Sequence, residues 1–147
     1  MSDEKNLNIK KTFDLGVQNH QKNNLQDAQN CYQKVLQIDP NHINAHNNLG
    51  IIFKELGEYQ KAKDCYEKAI GLNPNYTDAH NNLGAVFKEL REYQKAKDCF
   101  EKAIGLNPNY TDALNNLGII FQDLGEYQKA KECYEKAIEI NPNYINA

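Results

Sequence analysis

The chain has 147 residues, 40% of them hydrophobic and 25% charged, with a formal net charge of −3. That is enough apolar material for a core, and the mild, interspersed charge points to neither nucleic acid nor an anionic membrane surface as a partner. No apolar run approaches the roughly 18 residues that span a bilayer, and the opening MSDEKNLN lacks the apolar stretch of a signal peptide. The expected setting is cytoplasmic.

After residues 1–8, read as an N-terminal tail, the chain repeats itself with a period of 34 residues. The units are residues 9–42, 43–76, 77–110 and 111–144, and residues 145–147 begin a fifth. A fixed period of this length is the signature of a helical solenoid, in which each unit buries its apolar face against its neighbours. The predicted fold is therefore all-α, built from antiparallel helix pairs.

The first unit is the diverged one. Leu15-Gly16, Ala28, Tyr32 and Pro40 keep its frame, while Thr12, Asn19 and Asn23 stand in the columns of His80, Phe87 and Arg91. A terminal unit facing water is expected to be more polar, so residues 9–42 read as a cap. In the third unit, Ala79, Leu83, Val86, Phe87 and Leu90 recur at spacings of three and four, which predicts a first amphipathic helix. Tyr93, Ala96, Phe100, Ala103 and Ile104 predict a second. Between them lies Leu90-Arg91-Glu92, where the sister units read Leu56-Gly57-Glu58 and Leu124-Gly125-Glu126. Glycine there suits a helix end that needs positive φ before the chain reverses. Asn107-Pro108-Asn109 closes the unit, because proline cannot continue a helix. Gly84 and Ala96 are expected to let the two helices approach closely, with the columns Phe53/Phe87/Phe121 and Tyr66/Phe100/Tyr134 filling the space around them.

Four cysteines, Cys31, Cys65, Cys99 and Cys133, obey the same period. Equivalent residues of adjacent units lie roughly 10 Å apart, too far for a disulfide or a shared zinc ion, so partly buried free thiols are expected. His46 and His80 stand one unit apart but Leu114 follows in their column, and His20 and His42 complete no ligand set; no metal and no cofactor is expected. The sequons Asn75-Tyr76-Thr77 and Asn109-Tyr110-Thr111 read as the turn between units, with the threonines helping to start the next helix. The alternating charges of the second helices read as a solvated face. No nucleophile sits beside a base, and no glycine-rich phosphate loop follows a strand. An enzyme is not expected.

Leu83-Gly84, Phe87, Ala96, Phe100, Ala103 and Pro108 stand at the spacings of the tetratricopeptide repeat, which the chain resembles from residue 9 to 144. It departs from the usual pattern where His46, His80 and Leu114 replace tryptophan. The resemblance implies a right-handed superhelix whose first helices line a concave groove that binds a protein or peptide segment. It places Asn47, Asn48, Ile51 and Lys54 in that groove, then Asn81, Asn82, Ala85 and Lys88, then Asn115, Asn116 and Ile119. The column Lys10/Asn44/Asp78/Asp112 and residues Phe13, Asp14, Val17 and Gln122 belong to it too. Asn48, Asn82 and Asn116 are similar to the asparagine ladder of the O-linked N-acetylglucosamine transferases, and repeated carboxamides can pair with both N–H and C=O of an extended peptide. The carboxylate clamp of chaperone adaptors is not matched, because aspartate (Asp78 or Asp112) stands where that clamp needs lysine.

These features predict a non-catalytic interaction scaffold that holds an extended or helical segment through the asparagine ladder and an apolar stripe. The alternative is a substrate-targeting array of a larger enzyme whose catalytic domain lies outside this chain. The last residues, Pro142 to Ala147, repeat the lead-in to the second unit, Pro40 to Ala45. The sequence is thus expected to be part of a longer array, or to self-associate through an uncapped end at which Cys133, Tyr134, Ala137 and Ile138 are partly exposed.

Overall fold

The computed structural model describes residues 2–143 and contains eight helices and, among those residues, no strand. They are α1 (Asp3–Gln21), α2 (Leu25–Ile38), α3 (Ile43–Glu55), α4 (Tyr59–Leu72), α5 (Thr77–Glu89), α6 (Tyr93–Leu106), α7 (Thr111–Asp123) and α8 (Tyr127–Ile140). The boundary at residue 144 and the short fifth unit, residues 145–147, lie outside the described residues. The chain forms two compact units, residues 1–74 and 75–147, each of two helix pairs.

Within a pair the helices meet at glycine. A Cβ on Gly50 would lie 2.6 Å from the Tyr66 ring, one on Gly84 2.7 Å from Phe100, and one on Gly118 2.6 Å from Tyr134. Any larger side chain would hold the second helix away, so the expected close approach is met by the Gly columns. The rings of Tyr32, Tyr66 and Phe100 are fully buried as a result, each worth about 1.5–3 kcal/mol of apolar transfer. Ala28, Ala62 and Ala96 are buried on the second helices, again where a longer side chain would part them.

The turn inside each pair has one geometry, and the sequence foretells it. Gly57 and Gly125 have φ of +75° and +77°, while Asn23 and Arg91 reach 61° and 60° at the equivalent places. The Gly57 N–H donates to the Lys54 carbonyl and the Glu58 N–H to the Phe53 carbonyl, and the other three pairs repeat this. Two orphan carbonyls at each helix end are thereby satisfied. Lys61, Lys95 and Lys129 then pair with Glu58, Glu92 and Glu126 and lie over the rings of Phe53, Phe87 and Phe121, 5.4–5.5 Å from their centroids.

Two details differ from the sequence reading. Residues 3–8 are not an irregular tail: they extend α1 by nearly two turns, started by Ser2, whose hydroxyl accepts from the Lys5 N–H, with Asp3 and Glu4 in the first turn. At the other end Cys133 and Ala137 are buried under their own helix pair rather than exposed. Tyr127, Ile138 and Ile140 are the exposed large apolar residues of α8, and Tyr134 is half-buried.

Candidate functional site

Helices α1 and α3 of one unit, and α5 and α7 of the other, carry the residues expected to bind. Each face is built differently. In residues 1–74, Phe13 takes the place that asparagine holds in the later repeats. Its ring lies 5.6 Å from Tyr32 and 5.0 Å from His42, centroid to centroid. His42 also caps α3, its Nδ1 accepting from the Ala45 N–H at 3.1 Å. Asn48 Nδ2 donates to the Tyr32 hydroxyl at 3.4 Å, and His20 Nε2 meets Glu55 Oε2 at 3.0 Å, tying α1 to α3. His46 reaches the Pro40 carbonyl at 2.7 Å, so its ring too is used locally.

In residues 75–147 the same columns form a polar chain. Asn116 Nδ2 donates to Asn81 Oδ1 at 3.2 Å, bridging α7 to α5. The Tyr110 hydroxyl donates to Asp78 Oδ1 at 2.9 Å. Burial, and then the bonded Asp78 carboxylate, push the Tyr110 phenol well above the ordinary tyrosine range. On the far side Tyr134 donates to Gln122 Oε1 at 3.0 Å.

The asparagine pairs therefore divide. Asn47, Asn81 and Asn115, the first of each pair, are only 4–8% exposed and belong to the floor beneath the face. Asn48, Asn82 and Asn116 are half-buried at the surface, as are Ile51, Ala85, Ile119, Lys54 and Lys88. Sequence reading placed both asparagines of each pair alike on the open surface. A signal was present: Phe13 shares the first column, and an apolar residue in one repeat marks a buried position in the others.

The four cysteines are free thiols. Burial pushes the Cys65 thiol up to about 12, far from a reactive thiolate, and raises Cys133 as well. Among the described residues no group of three or more His, Cys, Asp or Glu side chains is placed to hold a metal ion, and no helix is long and apolar enough to cross a membrane.

The tetratricopeptide repeat family matches residues 43–76, 77–110 and 111–144, and a second TPR repeat pattern matches residues 18–57. The chain belongs to the tetratricopeptide repeat family. The second match is offset by half a unit, joining α2 to α3, which pack on each other. Among solved structures, a crystal structure of MamA protein is 32% identical, with a TM-score of 0.83 over 93% of this chain and 75% of that one. A second MamA crystal structure is 33% identical, with a TM-score of 0.81 over 88% and 76%. The pilF protein of Pseudomonas aeruginosa is 26% identical, with a TM-score of 0.87 over 96% of this chain and 64% of that one. The tetratricopeptide fold thus extends over nearly the whole chain, the diverged first repeat included. No curated protein sequence matches it.

Proposed function

We propose that this tetratricopeptide array is a non-catalytic interaction scaffold that holds extended peptide on the first-helix face of each of its two units. One observation carries the reading: the surface asparagines are pre-set. Asn48 and Asn116 each commit one carboxamide N–H to a neighbour, Tyr32 or Asn81, which orients the group and leaves its oxygen to accept from a peptide N–H. A side chain ordered before binding loses less rotamer entropy when the ligand arrives. The half-buried Ile51, Ala85 and Ile119 beside them give apolar contact without presenting a continuous greasy surface. Main-chain bonds supply affinity and these side chains select the sequence.

The test uses a peptide selected against the intact chain from a random display library. Replacing Asn48 and Asn116 together by Ala should weaken that peptide by about 1–3 kcal/mol, or roughly 5- to 150-fold, with unchanged helicity. Unchanged affinity in the double variant would sink the proposal.

A further inference from the structure

The first-helix face of residues 1–74 is built around Phe13, a half-buried ring in the column where residues 75–147 hold the buried Asn81 and Asn115. Part of the ring is packed. It rests on the cluster of Ile9, Val35 and Ala45, with its centroid 5.6 Å from Tyr32 and 5.0 Å from His42. The interplanar angles are 51° and 35°, the tilted arrangement that rings prefer to a flat sandwich. The rest of Phe13 stays accessible for a local reason. In residues 75–147 the Asn116 carboxamide crosses to this column and bonds Asn81, whereas Asn48 turns to the Tyr32 hydroxyl. Nor does Phe13 lie on the outer side of α1. Leu7 and Leu15, 52% and 50% exposed, mark that side, while Phe13 faces His42 at the entry to α3.

The surroundings set the chemistry of what can sit there. Lys10 and Asp14, which flank Phe13 along α1, pair with each other at 3.6 Å, and His20 meets Glu55 at 3.0 Å. His42 already commits its Nδ1 to the Ala45 N–H. Val17, one turn on from Phe13, and Ile51, one turn on from Asn48, are half-buried and apolar. A polar side chain placed here would give up water and gain little in return. An aromatic ring would bury area and join the tilted cluster. Resting on the peptide reading above, we infer that residues 1–74 select an aromatic side chain of the bound peptide, seated on Phe13 beside Val17 and Ile51. Asn48 and Phe13 both border the Tyr32 side chain, so the aromatic residue flanks the peptide N–H held at Asn48. Residues 75–147 lack this seat, because Asn81 replaces Phe13 and Ala85 replaces Val17.

The chain contains no tryptophan, so a tryptophan in a peptide reports its own surroundings by fluorescence. A random peptide display library is selected in parallel against the intact chain and against the full chain carrying Phe13→Asn, which copies the later repeats. Peptides that bind the intact chain through residues 1–74, identified by their loss with Asn48→Ala or Phe13→Asn, should share an aromatic residue at one position. Peptides taken on Phe13→Asn should not. In one such peptide with tryptophan at that position, binding to the intact chain should shift the emission to the blue. Changing that tryptophan to alanine should weaken binding about tenfold on the intact chain and about twofold or less on Phe13→Asn, followed by the anisotropy of a terminal label. Phe13→Leu keeps an apolar side chain on the core and should give an intermediate effect, with circular dichroism confirming that both variants fold. Selected peptides without a shared aromatic residue, or an alanine effect equal on the intact chain and Phe13→Asn, overturn the inference. If Asn48→Ala still weakens those peptides, the scaffold reading stands and only the aromatic seat falls. A Phe13-dependent aromatic preference that Asn48→Ala leaves untouched supports the seat and removes the asparagine from the reading. Failure to select any peptide overturns both.

Discussion

Residues 1–74 and 75–147 share one backbone plan but satisfy the same asparagine in different ways. In the first, Asn48 donates to the Tyr32 hydroxyl, and the neighbouring column holds Phe13, which has no acceptor. In the second, the equivalent Asn116 donates to Asn81, and the ring column holds Phe100, which has no hydroxyl. Each unit provides one acceptor, on a second helix in the first unit and on a first helix in the second. The difference teaches that these surface asparagines are bonded into the junctions between repeats. They cannot be judged one column at a time.

Moving one pattern onto the other is the strongest way to break that view. Asn81→Phe alone removes the acceptor of the half-buried Asn116 and crowds the buried floor, at a cost of about 1–3 kcal/mol. Adding Phe100→Tyr, as in residues 1–74, restores an acceptor and should recover about 1 kcal/mol. Phe100→Tyr by itself should be near neutral or mildly unfavourable, since Asn116 is already committed. Denaturant unfolding of the three variants gives the coupling directly. Strict additivity would mean that the two acceptors are not interchangeable.

The tyrosine column sharpens the same comparison at smaller amplitude. The Tyr66 hydroxyl is buried without a hydrogen-bond partner, whereas Tyr32 has Asn48. Tyr66→Phe should therefore stabilise the chain by about 1 kcal/mol and Tyr32→Phe should destabilise it by a similar amount. Burial raises the Tyr66 phenol far above its ordinary value. An acid raised in the folded state favours folding fully while protonated, below the unfolded value near pH 10, and that contribution is lost as pH climbs through the folded value. The alkaline loss of stability should accordingly be shallower in Tyr66→Phe. If both substitutions destabilise, Tyr66 has a partner such as bound water.

The repeat frame was legible because its causes are local. Gly50 and Gly84 admit a ring, Gly57 and Gly125 take a left-handed turn, and Pro74 and Pro108 stop helices, each within a few residues of the effect. The candidate site was legible only in outline. Asn81 and Asn116 are 35 residues apart and Tyr110 and Asp78 are 32 apart. Which carboxamide turns inward depends on the neighbour it meets, and periodicity is blind to that. The period also treats every second helix alike, so it exposed Cys133 and Ala137, which face α8's own partner, and overlooked Tyr127, which faces outward.

The smallest contrast lies in the turns. Asn23 and Arg91 hold the left-handed conformation at equivalent positions, one in each unit. For a residue such as arginine that conformation is unfavourable by roughly 1–2 kcal/mol, because Cβ crowds the following carbonyl, whereas asparagine visits it readily. Glycine removes the crowding but loses more freedom on folding, by roughly 0.4–1 kcal/mol. Arg91→Gly should then gain about 0.5–1 kcal/mol, while Asn23→Gly, with little strain to relieve, should be neutral or slightly negative. The midpoints of denaturant unfolding will separate the two, provided the slopes match. A loss for Arg91→Gly would mean that the arginine side chain contributes more than its backbone strain, and that the turn of the third repeat is held differently from those with glycine.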